Sequence, residues 1–250
     1  MDAVLAELTK LRRSLSGAVV VLLPVVLVLT GSVMTLLEGQ DLENGWHTLW
    51  MRSIVFYGMF PLPVGIAILA SLVWRVEHRG SAWNALMSGP TSSLRIVLAK
   101  SAVITALCAI MQVIAVVVCV LLGRAAFGLP GSLPAEYLGV SAMIVLASMP
   151  VVVLQSGLSM VLRSFAAPIA VAFVGAGIST ALLVAGLDLA VLVSPYAALG
   201  RATQLGTGVI ADGGEITAGV LALVAAASVL LSAVFAAVTA FVLARRDVRT

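Results

Sequence analysis

The sequence predicts an all-α integral membrane protein with six transmembrane helices, on the evidence of its composition and of the length of its apolar segments. Of its 250 residues, 62% are hydrophobic and 10% are charged, whereas soluble proteins carry about 25% charged residues. The mean hydropathy is +1.18. A bilayer core needs about 20 apolar residues per helix, and six segments meet that length. They cover residues 17–37, 53–74, 101–122, 138–162, 167–187 and 216–243.

The polar connections between these spans predict one transmembrane domain and its orientation. The longest polar-leaning connection on the side of the termini, residues 75–100, is too short to build a core of its own, so residues 1–250 form a single domain. If the spans alternate in direction, eleven of the fourteen basic residues fall on the side of both termini. Cytoplasmic loops carry this excess of lysine and arginine. Both termini are therefore expected in the cytoplasm of a bacterium, with the protein in the plasma membrane.

Residues 1–16 are predicted to form an interfacial amphipathic helix before the first span. At 100° per residue its leucines gather on one face, and most of its charged side chains occupy the remainder. We expect the leucines to enter the acyl boundary and the cations to lie near lipid phosphates. The interfacial residues of this helix are Leu5, Leu8, Lys10, Leu11, Arg12 and Arg13. The alternative is a cytoplasmic tail that extends the first span.

The interiors of the spans contain prolines and a few polar groups but almost no charges. Pro24, Pro61, Pro63 and Pro150 fall inside spans and are expected to kink them. The near absence of charges argues against a proton- or ion-coupled carrier, which usually needs an ionisable residue within the membrane. Candidates for a substrate path are Gln112, Gln155, Ser156 and Ser159. The alternative role for these side chains is hydrogen bonding between packed helices.

The loop after the second span contains a predicted short cytoplasmic helix, residues 77–88. Trp83, Leu86 and Met87 share one face at i, i+3 and i+4, and Gly89-Pro90 ends the pattern. The chain then re-enters the membrane with Lys100 expected at the interface.

This arrangement resembles the membrane subunit of type 2 ABC exporters, the ABC-2 family, which includes permeases for lantibiotic and other antibiotic immunity. In that family an interfacial helix precedes the first span. The loop after the second span then carries a Glu, a Gly followed by a small residue and often Trp, a Pro, and a Lys at the start of the third span. The residues that match these features in order are Glu77, Gly80, Ser81, Trp83, Pro90 and Lys100.

The resemblance implies that residues 77–88 form a coupling helix, which docks into a groove of a separate ATPase subunit. Trp83, Leu86 and Met87 would be apolar anchors, and Glu77 and Arg79 a polar rim. The residues assigned in this way to ATPase coupling are Glu77, His78, Arg79, Gly80, Ser81, Trp83, Leu86 and Met87. The alternative is an amphipathic loop that lies on the membrane, with Trp83 as an interfacial anchor.

Residues 188–215 are predicted to be an outer re-entrant segment. Ser194-Pro195 has the composition of a capped helix start. The apolar stretch before it would more naturally dip into the outer leaflet than remain in water. The ABC-2 resemblance implies short re-entrant helices at this position, with the role of an outer gate or vestibule. The alternative is an ordinary extracellular loop.

Enzyme motifs are missing from the sequence, which favours a transport subunit without catalysis of its own. It contains no GxxxxGK[ST] phosphate loop and no HExxH or Cys/His metal spacing. We therefore expect no metal or cofactor in this chain. The net charge of +3 is spread over loops and ends, so it does not indicate nucleic-acid binding.

The resemblance implies an ATP-driven ABC exporter of an amphipathic substrate, such as a lantibiotic, another antimicrobial or a lipid. Its expected partners are two ABC ATPase subunits that bind ATP and Mg²⁺, a second permease in a homodimer or paralogous heterodimer, and membrane lipids. The alternatives are an ATP-independent channel or secondary carrier, and a non-transporting membrane protein that confers immunity or acts as a scaffold.

Overall fold

The computed structural model describes residues 15–37, 42–78, 91–209 and 216–245, and within them it is helical, with no strands. The helices are α1 (Ser16–Leu37), α2 (Trp46–Met59), α3 (Pro61–Arg75), α4 (Ser93–Ala125), α5 (Ala135–Val161), α6 (Ala166–Val184), α7 (Ala190–Val193), α8 (Pro195–Thr203) and α9 (Ala218–Arg245). Among these residues, five helices are long and apolar enough to cross a membrane, and a bent pair makes up to six. The predicted all-α fold is confirmed.

The predicted second span falls on two helices rather than on one kinked helix. α2 and α3 meet at a bend of 48°, and Phe60 lies between them. Pro61 occupies the first position of α3, where its missing N–H has no intrahelical partner to lose. The prolines of this span therefore start a new helix. Pro24 and Pro150 instead lie inside α1 and α5, which continue through them.

The third span begins earlier than the apolar pattern indicates. Ser92 caps α4 by accepting a hydrogen bond from the backbone N–H of Arg95 at 3.4 Å, so the helix starts at Ser93 rather than at residue 101. Lys100 consequently lies two turns inside α4, and it is 1% exposed. A lysine expected at the membrane interface is thus part of the packed bundle.

α5 lies at the centre of the bundle. It packs against α3, α4, α8 and α9 and is more deeply buried than the other four helices that are long enough to cross a membrane singly. Close approach to α9 depends on Gly157, because a Cβ atom there would lie 2.6 Å from the Thr239 hydroxyl oxygen. α5 therefore links α3 to α8, two helices without extensive packing against each other.

Candidate functional site

A buried ion pair joins the end of the second span to the third span. Lys100 Nζ donates to Glu77 Oε1 at 3.0 Å, and the two side chains are 1% and 3% exposed. Lys100 Nζ also lies 4.8 Å from the centre of the Trp74 ring. Charges of this kind are stable in a bundle interior only when they are paired. The pair therefore holds the start of the loop after span two against α4.

Glu77 differs in its surroundings from the polar rim that the sequence suggested. Its carboxylate faces inward to Lys100, and the residue is 2% exposed. The physical reason is the early start of α4, which brings Lys100 into the bundle rather than to the membrane surface. In this structure Glu77 positions the loop from within the bundle rather than offering an exposed charge.

Three side chains at the end of α3 and in the following turn contact α5. Trp74 Nε1 donates to Ser156 Oγ at 2.7 Å, and His78 Nε2 donates to the carbonyl oxygen of Ser159 at 2.8 Å. The Ser71 and Ser159 hydroxyl oxygens are 3.3 Å apart. Positions 71, 74 and 78 recur at helical spacing, which places them on one face. One face of α3 and of the turn after it thus fastens the loop after span two to α5.

The same turn of α5 also contacts α8. Gln155 Nε2 donates to the Tyr196 hydroxyl at 2.6 Å, and both residues are buried. Tyr196 is the second residue of α8, after Pro195. The Ser194 hydroxyl accepts from the N–H of Ala197 at 3.3 Å and lies 2.7 Å from the Ser179 hydroxyl on α6. The helix start predicted at Ser194-Pro195 is therefore present.

α8 begins beside the middle of α6. The Tyr196 ring fills the space that a side chain at Gly175 would occupy. Gly175 lies nine residues before Val184, where α6 ends, which corresponds to about 13 Å of helix. After leaving α6, the chain therefore turns back along it before α8 starts.

The structure brings together three of the four candidates for a substrate path. Gln155, Ser156 and Ser159 occupy neighbouring turns of α5, and each makes a hydrogen bond to another helix. Gln112 instead donates to Ser141 at 3.2 Å. Ser141 precedes Gln155 by fourteen residues on the same helix, or about 21 Å. In this structure Gln112 belongs to a separate location.

Several residues of the predicted sites lie outside the part of the chain that the structure describes. The residues of the coupling segment in this group are Arg79, Gly80, Ser81, Trp83, Leu86 and Met87. Those of the interfacial helix are Leu5, Leu8, Lys10, Leu11, Arg12 and Arg13. Their assignments stay predictions.

The sequence did not predict that three residues make contacts between helices at this site. Trp74 and Tyr196 belong to apolar patterns that do not distinguish them from other core aromatics. Lys100 matched a family feature, but its partner was not recognised. The opposite charges of Glu77 and Lys100 at the two ends of one loop were the available signal.

Comparison with known proteins assigns the family. The sequence matches the family described as ABC-2 family transporter protein over residues 3–179, which include the loop after span two, the Glu77–Lys100 pair and α5. No curated protein and no solved structure matches the chain. The match confirms the resemblance seen in the sequence, and permeases of this family generally work with ABC ATPases. The chain therefore belongs to the ABC-2 family, as a multi-pass membrane subunit of a transporter.

Proposed function

We propose that this chain is the permease subunit of an ATP-driven exporter that moves an amphipathic substrate outward. The observation that carries the proposal is the anchoring of the loop after span two. Its first residues are tied to α4 by the Glu77–Lys100 pair and to α5 by His78. A loop fixed at this point can pass a force to the bundle, whereas a loop lying loosely on the membrane cannot.

In the proposed mechanism, ATP-driven closure of the partner pushes the coupling segment, residues 77–88. The displacement reaches the end of α3 and then α5 through Trp74 and Ser156. Gln155 is adjacent to Ser156 in α5 and holds Tyr196 of α8. Movement at the coupling segment thus has a short route, through one turn of α5, to the segment proposed as the outer gate.

The position of α8 supports this gate. A segment that turns back to the middle of α6 is suited to closing a route between helices. Gln155 Oε1 and Gln204 Oε1 are two of several buried side-chain polar atoms without a hydrogen-bond partner in the described part of the chain. Such atoms are uncommon in a folded protein and call for an explanation. Withdrawal of α8 would hydrate them, so these acceptors lower the cost of opening.

The complete transporter in this proposal contains two permeases and two ATPase subunits, and the ATPases bind ATP and Mg²⁺. The second permease is a copy of this chain or a paralogue. Both termini face the cytoplasm of a bacterium, and the protein lies in the plasma membrane. Peptide antibiotics such as lantibiotics, other antimicrobials and lipids are the proposed substrates, since these molecules are amphipathic.

The test uses the chain co-expressed with a candidate ABC ATPase from the same organism, recognised by its GxxxxGK[ST] motif. Trp83→Asp should leave membrane insertion intact but abolish stimulation of ATP hydrolysis, because a charge cannot fill an apolar groove. Trp83→Phe is the matched control and should retain most of the stimulation. Unchanged coupling in Trp83→Asp, or transport by the purified chain without an ATPase, would refute the proposal.

A further inference from the structure

A cavity of about 160 Å³ lies beside the candidate site. It is bounded by the end of α3 with its following turn, the end of α5 and the short connection to α6. A water molecule takes about 30 Å³ in the liquid, so the cavity has room for about five waters. Its polar lining residues are Ser71, Arg75, His78, Ser159, Arg163 and Ser164.

The lining of this cavity is basic. Arg75, His78 and Arg163 contribute to it, and no carboxylate does among the described lining residues. The Arg75 guanidinium lies 5.7 Å from the centre of the Phe165 ring, which supports it at the wall. Glu77, the acidic residue next to His78, is engaged by Lys100 and does not line the cavity. Among the described lining residues, no carboxylate therefore neutralises the charge of the two arginines.

The floor of the cavity consists of hydroxyl groups. Ser71 and Ser159 are 6% and 2% exposed, and their hydroxyl oxygens are 3.3 Å apart. His78 is oriented by its hydrogen bond to the Ser159 carbonyl oxygen. Ser71 Oγ also lies 3.5 Å from the Phe165 carbonyl oxygen, to which it donates, so the floor offers polar oxygens and at most one free hydroxyl donor. The cationic groups at the exposed mouth are the part of this lining that suits an anion with several acceptor oxygens.

We propose that this cavity binds a phosphoryl group, supplied either by free phosphate or by the headgroup of an anionic lipid. Arginine binds phosphate oxygens through two parallel N–H donors, and no described lining residue of this pocket supplies a carboxylate that would occupy them. The proposal goes beyond transport and needs no ATPase partner. Because His78 is the second residue of the coupling segment, an anion held here would also lie against the loop that the partner is proposed to push.

The experiment uses the full chain purified in a neutral detergent. One arm titrates inorganic phosphate against chloride and follows binding calorimetrically. The other measures retention of phosphatidylglycerol relative to phosphatidylcholine by native mass spectrometry. R75Q/R163Q removes two charges from the cavity. The matched control R95Q/R245Q removes two charges from exposed arginines that do not line it, so both variants have the same net charge.

We expect R75Q/R163Q to weaken anion binding at least about ten-fold while the control stays within about two-fold of the unmodified chain. Loss in the phosphate arm identifies a free anion, and loss confined to the phosphatidylglycerol arm identifies a lipid headgroup. Equal losses in both variants would reduce the effect to general surface charge and overturn the proposal, as would retained binding in R75Q/R163Q. If the double variant does not fold, the single variant R163Q replaces it in both binding measurements.

Discussion

The ion pair between Glu77 and Lys100 attaches the loop after span two to the helix bundle. Either charge alone would be costly in the bundle, but together they fix the chain where it leaves the second span. The Trp74 ring covers the lysine, and its indole N–H holds Ser156. Residue-scale contacts thus decide whether the coupling segment is attached to the bundle.

Replacing Glu77 by Gln should lower the free energy of unfolding by about 3–5 kcal/mol, since the buried Lys100 ammonium would lose its carboxylate partner. ATPase stimulation should fall with it. Thermal unfolding of the purified chain and ATP hydrolysis by the complex provide the measurements. Glu136→Gln, at an exposed position, is the control and should change stability by less than about 1 kcal/mol.

The pairing itself is tested by a double-mutant cycle with Lys100→Met. E77Q/K100M should lose less stability than the sum of the two single variants, because the second change removes the charge that the first left unpaired. Strictly additive losses would show that the two side chains do not interact.

Gly175 provides a second residue-scale prediction. Gly175→Ala should destabilise the protein by about 1–3 kcal/mol, because the added methyl group overlaps the Tyr196 ring. Gly139→Ala is the matched control. Nothing lies within 4 Å of a Cβ atom at that helical position, so its effect should be neutral or slightly stabilising. Similar melting temperatures for the two variants would contradict the packing of α8 against α6.

At the scale of elements, α8 depends on tertiary contacts. It has nine residues, and helices shorter than about 12 residues are marginal by themselves in water. The Ser194 cap and the Gln155–Tyr196 hydrogen bond hold it in place. Eight of its nine residues are buried against neighbouring helices, so a gating movement must displace α8 from this packing as a unit.

Cross-linking α8 to α6 should arrest the transporter. The Ser179 and Ser194 hydroxyl oxygens are 2.7 Å apart, so cysteines at both positions are within the range of a disulfide. We expect oxidation of S179C/S194C to suppress ATP-driven turnover and a reductant to restore it. The native cysteines, Cys108 and Cys119, are buried and do not compete.

S194C alone is the control for this experiment and should be insensitive to oxidation. Full turnover of the cross-linked double variant would show that α8 does not need to move, and the gate proposal would then fail.

At the scale of the whole molecule, the surface matches a hydrocarbon environment. Large apolar side chains such as Leu22, Val113 and Phe173 are exposed on the long helices. A soluble monomer rarely tolerates apolar patches of this extent, whereas lipid chains solvate them. The polar connections between the helices are therefore expected to face water on the two sides of the membrane.

The orientation proposed from the basic residues predicts opposite labelling of two exposed serines. Cysteine at Ser132 should react with an impermeant maleimide in intact cells, because the connection between α4 and α5 is expected outside. Cysteine at Ser164, between α5 and α6, should react only after lysis. The reverse pattern would invert the topology and place the coupling segment on the outer side.

The fold class could be predicted from sequence because membrane spans are local features. An α-helix satisfies its own backbone and needs only an apolar stretch of sufficient length. The family resemblance was equally local, since Glu77, Gly80, Trp83, Pro90 and Lys100 lie within one short stretch of chain. The residues at which the helices begin and end were harder to predict from the sequence. Capping by Ser92 and the new helix start at Pro61 shifted them from the limits of the apolar runs.

The sequence by itself determined the helical class, the expected spans and the family of this protein, because these properties depend on composition and short-range pattern. Only the tertiary structure decided which groups meet. Glu77 and Lys100 are 23 residues apart, Gln155 and Tyr196 are 41 apart, and Trp74 and Ser156 are 82 apart. A local sequence pattern does not specify which of these side chains come into contact, because the contacts depend on how the helices pack around α5.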